Sequence, residues 1–118
     1  MPTILVVDDA QFMRMRIKKL LTKHSYDVVE AIDGDEAVNV YRLIRPDAVI
    51  MDITMPGKDG LTALGEICNI DPEAKVIMLS ALGQQAMLLQ ALQVGATDFL
   101  VKPYDPDRII KTLEKTFA

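Results

Sequence analysis

The sequence predicts an α/β protein, a (βα)5 chain folded as one open, doubly wound parallel sheet. Three observations carry this. Short apolar runs rich in β-branched residues recur along the 118 residues. These runs are mostly continuous rather than alternating, as suits strands covered on both faces. Between them lie segments whose apolar residues recur every three to four positions, the spacing of a helix with one buried face. A domain typically takes about 100–150 residues, so residues 1–118 read as a single domain.

The first strand is Thr3–Val7. Met1–Pro2–Thr3 leads straight into it, without the basic stretch or cleavage site of a secretory signal. The first helix presents Met13, Ile17, Leu20 and Leu21 on one face, and His24, the single histidine, lies near its end. There a charge or hydrogen bond favours the carbonyl terminus. Phe12 and Met15 fall off that face and either meet a partner or pack on neighbouring loops. Lys18, Lys19 and Lys23 form a solvated face. The second strand is Asp27–Ala31, followed by the turn or cap signal Asp33–Gly34 and a helix with Ala37, Val38, Tyr41 and Ile44 on its apolar side.

The third strand, Ala48–Met51, leads through Asp59–Gly60 to a helix with Leu61, Leu64, Ile67 and Cys68 inward. Asp71–Pro72 punctuates its end. The fourth strand, Lys75–Leu79, precedes a helix over Gln85–Val94 that Gly95 can close. The fifth strand is Thr97–Val101. The last helix is Pro106–Phe117, with proline at its start, where a missing N–H costs nothing.

Composition excludes several function classes. Thirteen Lys and Arg against seventeen Asp and Glu leave a net charge of −4, and no basic run exceeds Lys18–Lys19. A broad nucleic-acid footprint and an anionic-membrane patch are therefore not expected. Cys68 is alone, so it forms neither an internal disulfide nor a thiolate metal cage, and reads as a small apolar residue. No apolar run approaches the roughly 20 residues of a membrane span. A reducing, cytoplasmic location is expected.

Ligands of open α/β sheets bind beyond the carboxyl ends of the strands. The first strand ends in Asp8–Asp9, the third in Asp52, the fourth in Ser80 and the fifth in Lys102. Asp8 or Asp9 could instead cap the first helix. As a set, however, three converging carboxylates repel one another and need a reason to be tolerated. A hard divalent cation such as Mg²⁺ supplies it. Metal, lysine and hydroxyl together neutralise and bond phosphoryl oxygens. A carboxylate not consumed by the metal can be the nucleophile. Asp52, on a strand apart from the Asp8–Asp9 pair, suits that role.

This ordered set (Val6–Val7–Asp8–Asp9, Met51–Asp52–Ile53–Thr54–Met55–Pro56, Asp59–Gly60, Ser80–Ala81 and Lys102–Pro103) resembles the receiver domain of two-component response regulators over essentially the whole chain. Asp9–Arg14 and Ser80–Met87 are similar, more narrowly, to the stand-alone chemotaxis receivers of Gram-positive and thermophilic bacteria. The resemblance implies the flavodoxin-like sheet order 2-1-3-4-5. It implies a phosphoryl group taken by Asp52 from a sensor histidine kinase of the chemotaxis type. Asp9, Asp52 and the Thr54 carbonyl would hold Mg²⁺, with Asp8 acting through a water; Mn²⁺ can take its place.

Ser80 and Lys102 would contact the phosphoryl oxygens. Phe99, three residues before Lys102, matches the switch aromatic, and the Lys102–Pro103 bond would be cis. Serine here replaces the more frequent threonine, and phenylalanine the tyrosine. Thr54 and Leu82 occupy positions that tune phosphoryl lifetime in the family.

Met87–Leu88–Leu89 cannot all face the sheet at 3.6 residues per turn. Either the fourth helix is simply well buried, or Met87, Leu88, Leu89 and Gln90, with Phe99 and Tyr104, form a docking surface. The resemblance favours docking. The expected partners are the kinase, a flagellar motor switch protein or other target, and a phosphatase, with the receiver itself a monomer. A phosphorelay intermediate or a domain excised from a longer regulator is the near alternative. A Mg²⁺-dependent phosphohydrolase would need longer loops over its substrate. A flavodoxin-like cofactor binder would need a phosphate-cradling loop where Asp8–Asp9 stands. Apart from transfer from small phosphodonors and loss of its own phosphoryl group, no enzyme activity is expected.

Overall fold

A computed structural model describes all residues, 1–118. Five strands and five helices alternate: β1 (Thr3–Val7), α1 (Gln11–Lys23), β2 (Asp27–Ala31), α2 (Gly34–Ile44), β3 (Ala48–Asp52), α3 (Gly60–Ile70), β4 (Val76–Ser80), α4 (Gln85–Val94), β5 (Asp98–Val101) and α5 (Pro106–Phe117). All strand pairs are parallel and the sheet order is β2-β1-β3-β4-β5. Strand ends differ from expectation by a residue. β3 runs on to Asp52, and β4 is displaced to Val76–Ser80 because the ladder with β5 pairs Ser80 with Val101.

The sheet divides two cores. Val7, Val49, Met51, Val76 and Met78 face α2, α3 and α4, meeting Tyr41, Leu64, Ile67 and Leu88. Ile4, Val6, Ile50, Ile77 and Leu79 face α1 and α5, meeting Ile17, Leu21, Ile109 and Leu113. β1, β3 and β4 are buried on both sides, which is why they read as unbroken apolar runs. Emptying such a position, as in Ile50→Ala, costs about 2–5 kcal/mol through lost contact and the cavity left behind.

Side-chain caps set where α2, α3 and α5 begin. Asp33 accepts from the Glu36 N–H and Asp59 from the Thr62 N–H, so both Asp–Gly pairs are helix starts. Asp105 accepts from the Asp107 N–H just ahead of Pro106. His24 Nδ1 lies 3.0 Å from the Leu20 carbonyl at the end of α1. Ile44 is a correction. It is the last residue of α2 and is 50% exposed, because the buried face ends at Tyr41 and the chain turns left-handed at Arg45.

Candidate functional site

Neither Asp8 nor Asp9 caps α1. The N-cap position is Ala10, with no side-chain cap bond. Asp8 Oδ1 accepts from the Ala10 N–H at 2.9 Å, while Oδ2 is buried without any partner. Carboxylate oxygens of Asp8, Asp9 and Asp52 lie within 4.8 Å of one another. Asp8 and Asp52 are buried and Asp9 is exposed. Burial, and then the charges of Asp52 and Asp9, push the Asp8 carboxyl above its ordinary range, against the Ala10 hydrogen bond and Lys102.

Lys102 Nζ donates to Asp52 Oδ2 at 3.0 Å. Burial works against its ammonium form. The Asp52 hydrogen bond and the charges of Asp52 and Asp8 outweigh burial, so its pKa rises. The Lys102–Pro103 bond is cis. Thr54 N–H points at Asp52 Oδ1, 3.4 Å away.

Strand alternation sorts these groups by face. Asp52 follows Ala48 and Ile50, on the α1/α5 side. Ser80 follows Val76 and Met78, on the α2/α3/α4 side. Ser80 Oγ is accordingly buried and has no hydrogen-bond partner, so the structure does not join it to Asp52. Phe99 has the parity of Ser80 and is 38% exposed.

The proposed docking surface needs one correction. Leu88 belongs to the core, and Met87 packs at its edge. Leu89 and Gln90 are exposed, and Leu92, which sequence reasoning did not single out, is exposed beside them. Tyr104 and Phe99 line a surface cleft of about 460 Å³ at the start of α5. Phe12 and Met15 are both exposed, with the Arg16 guanidinium 5.6 Å over the Phe12 ring.

Two site residues were not anticipated. Arg14 donates to the Asp8 carbonyl at 2.7 Å and pairs with Glu30 at 3.2 Å, fixing the corner after β1. Gln84 bonds both Ala81 and Thr54. Only the position of Arg14, one turn into α1, could have hinted at its role. Gly60 is held close to Asp52: a Cβ there would collide with the Asp52 carbonyl.

A cation is a chemical fit to this arrangement: three convergent oxygen ligands, one of them buried and orphaned, with a carboxyl whose ionised form is penalised. Sheet order, carboxylate cluster and lysine together define an open α/β protein with an acidic, lysine-flanked site at the carboxyl ends of its strands. The chain belongs to the response regulator receiver domain family, whose model matches residues 4–114. Members of this family bind Mg²⁺ at an acidic pocket and work as signalling switches rather than as conventional enzymes. The chain is 52% identical over 113 residues to the chemotaxis protein CheY of Thermotoga maritima, covering 95% of this chain and 94% of that one. It is 54% identical over 114 residues to the chemotaxis protein CheY of Bacillus subtilis, covering 96% and 95%. A receiver domain protein from Clostridium thermocellum superposes with a TM-score of 0.94 at 29% identity, over 98% of this chain and 94% of that one. No helix is long and apolar enough to cross a membrane.

Proposed function

We propose that this chain, as a single receiver domain over residues 1–118, is the phosphorylation-activated switch of a chemotaxis two-component system. Asp52 is the phosphoacceptor. The observation that carries the reading is its buried carboxylate, bonded to Lys102 at 3.0 Å and flanked by the orphaned oxygen of Asp8. The likeness to two chemotaxis proteins over nearly the full chain supports the pathway. The donor is a histidine kinase, and the target is a protein such as the flagellar switch. A phosphatase is a further partner.

Asp9, Asp52 and the Thr54 carbonyl would hold Mg²⁺ or Mn²⁺, with Asp8 outside them. When bound, the cation neutralises charge on the phosphoryl oxygens. Asp52 attacks phosphorus, a carboxylate O–P bond forms and the donor's histidine N–P bond breaks. The leaving imidazole keeps the electron pair and takes a proton from solvent. Lys102 shifts its hydrogen bond from the Asp52 carboxylate to a phosphoryl oxygen. Ser80 turns its unpartnered hydroxyl toward the new acceptors, and Phe99 moves into the space it leaves. The α4–β5–α5 face then changes shape, so a target that prefers one shape also biases phosphorylation.

Incubation with acetyl phosphate tests this by intact mass. One phosphoryl group should be gained, only with Mg²⁺ present and not by Asp52→Asn. A gain that survives Asp52→Asn would move the acceptor elsewhere.

A further inference from the structure

Gln84 spans the open end of the sheet between the two loops that flank Asp52. Its Oε1 accepts from the Ala81 N–H at 2.7 Å. Its Nε2 donates to the Thr54 hydroxyl oxygen at 2.6 Å. Thr54 lies in the loop after β3, beside the Asp52 carboxylate, and Ala81 is the first residue after Ser80. Gln84 is the N-cap residue of α4, yet its side chain makes no cap bond. A left-handed Gly83, with φ of 90°, turns the chain just ahead of it. A helix start that would gain from Ser, Thr, Asp or Asn at this position instead carries a longer amide. That amide reaches back across the site.

We propose that Gln84 is a positioning residue that latches the resting form, and that it must release Ala81 before the Ser80–Ala81 segment can bond a phosphoryl group. The proposal rests on Asp52 being the phosphoacceptor. Phosphorylation adds three strong acceptor oxygens beside this segment. The Ala81 N–H carries one proton, and in the resting form that proton is spent on Gln84. The same side chain pins Thr54, so a single uncharged group ties the β4–α4 loop to the β3–α3 loop. Whatever stabilises this tie opposes the phosphorylated arrangement to the same extent.

The test uses Gln84→Met, which keeps length and bulk, alongside Gln84→Ala. Amide hydrogen exchange of Ala81 is followed by NMR in metal-free buffer. Binding of beryllofluoride with Mg²⁺, a stable phosphoryl mimic, is followed by fluorine NMR. Loss of Ala81 protection together with roughly three- to tenfold tighter beryllofluoride binding, the range one net hydrogen bond spans, is expected. Lost protection with equal or weaker binding would leave Gln84 a structural tie and overturn the latch. Unchanged Ala81 protection would overturn the bridge itself. A wild type that takes no beryllofluoride would remove Asp52 as acceptor, and the latch with it; a wild type that binds while the variants gain nothing sinks the latch alone.

Discussion

Asp8→Asn should make the metal-free protein more stable. The Asp8 side chain is buried, and its oxygen lies within 4.8 Å of Asp52 oxygen. At an effective dielectric near 20, two like charges that far apart repel by about 3.5 kcal/mol. Lys102 attracts Asp8 and cancels part of this, which leaves a net gain of about 1–2 kcal/mol on neutralisation. Asparagine keeps an oxygen for the Ala10 N–H, so the loop bond survives.

For a chain of this length, roughly 4 °C of Tm accompanies each kcal/mol. A thermal melt at pH 7.5 in EDTA should therefore rise by about 4–8 °C. The pH dependence has a defined sign. A carboxyl with a raised pKa holds its proton more tightly folded than unfolded. Wild type is thus favoured at low pH and loses that advantage as pH rises from the ordinary value of 3.8 through the raised one. Asp8→Asn lacks this slope. Saturating Mg²⁺ at about 100 Kd should return about 2.7 kcal/mol to wild type and much less to the variant. A lower Tm for Asp8→Asn in EDTA would refute the repulsion. Equal stabilisation of both proteins by Mg²⁺ would remove Asp8 from the cation site.

Tyr41→Phe removes the hydroxyl that donates to Asp71 at 2.8 Å and, foremost among its neighbours, holds that carboxyl below its ordinary 3.8. A depressed carboxyl stabilises above its ordinary value and ceases to as pH falls through the lowered one, so the variant should melt lower at pH 7 and show a shallower acid-side loss; identical curves would count against it. Leu82→Glu places a proton acceptor on the exposed loop after Ser80, and decay of the phosphorylated form should quicken several-fold; an unchanged or slower rate would contradict this. Leu89→Lys alters a side chain that is 63% exposed, so target affinity should fall about tenfold or more while Tm stays nearly constant. Gly60→Ala forces a methyl against the Asp52 carbonyl, and a loss of about 2–4 kcal/mol in urea unfolding, with slower phosphorylation, is expected.

The elements were legible because burial on both faces writes itself into composition: Val6–Val7 and Ile50–Met51 have no polar neighbour until the strand ends, where the site begins. Asp8, Asp52 and Lys102 could be placed for the same reason, each being the first charge after an apolar run. What sequence could not reveal depends on side-chain reach across the fold. Arg14 crosses from α1 to Glu30 on β2, and Gln84 doubles back over Ala81 to Thr54, contacts that no periodicity encodes. The split of Met87–Leu88–Leu89 required the helix's rotation against the sheet, which puts Leu88 under α4 and leaves Leu89 outside. The partnerless state of Ser80 follows from register, since one residue of displacement in β4 decides which face its hydroxyl meets.

That register also separates the proposed phosphoacceptor from the proposed switch residues. Asp52 belongs to one side of the sheet, Ser80 and Phe99 to the other, and Ser80 has both a rigid strand behind it and a loop ahead. In the proposed switch, a change that starts at Asp52 reaches Ser80 and Phe99 around the rim, because the interior of β4 is sealed by apolar packing on both faces. The wall can then stay still while the signal passes. Substitutions deep in either core are free to tune durability without retuning communication, and changes at the rim can rewire communication without weakening the wall.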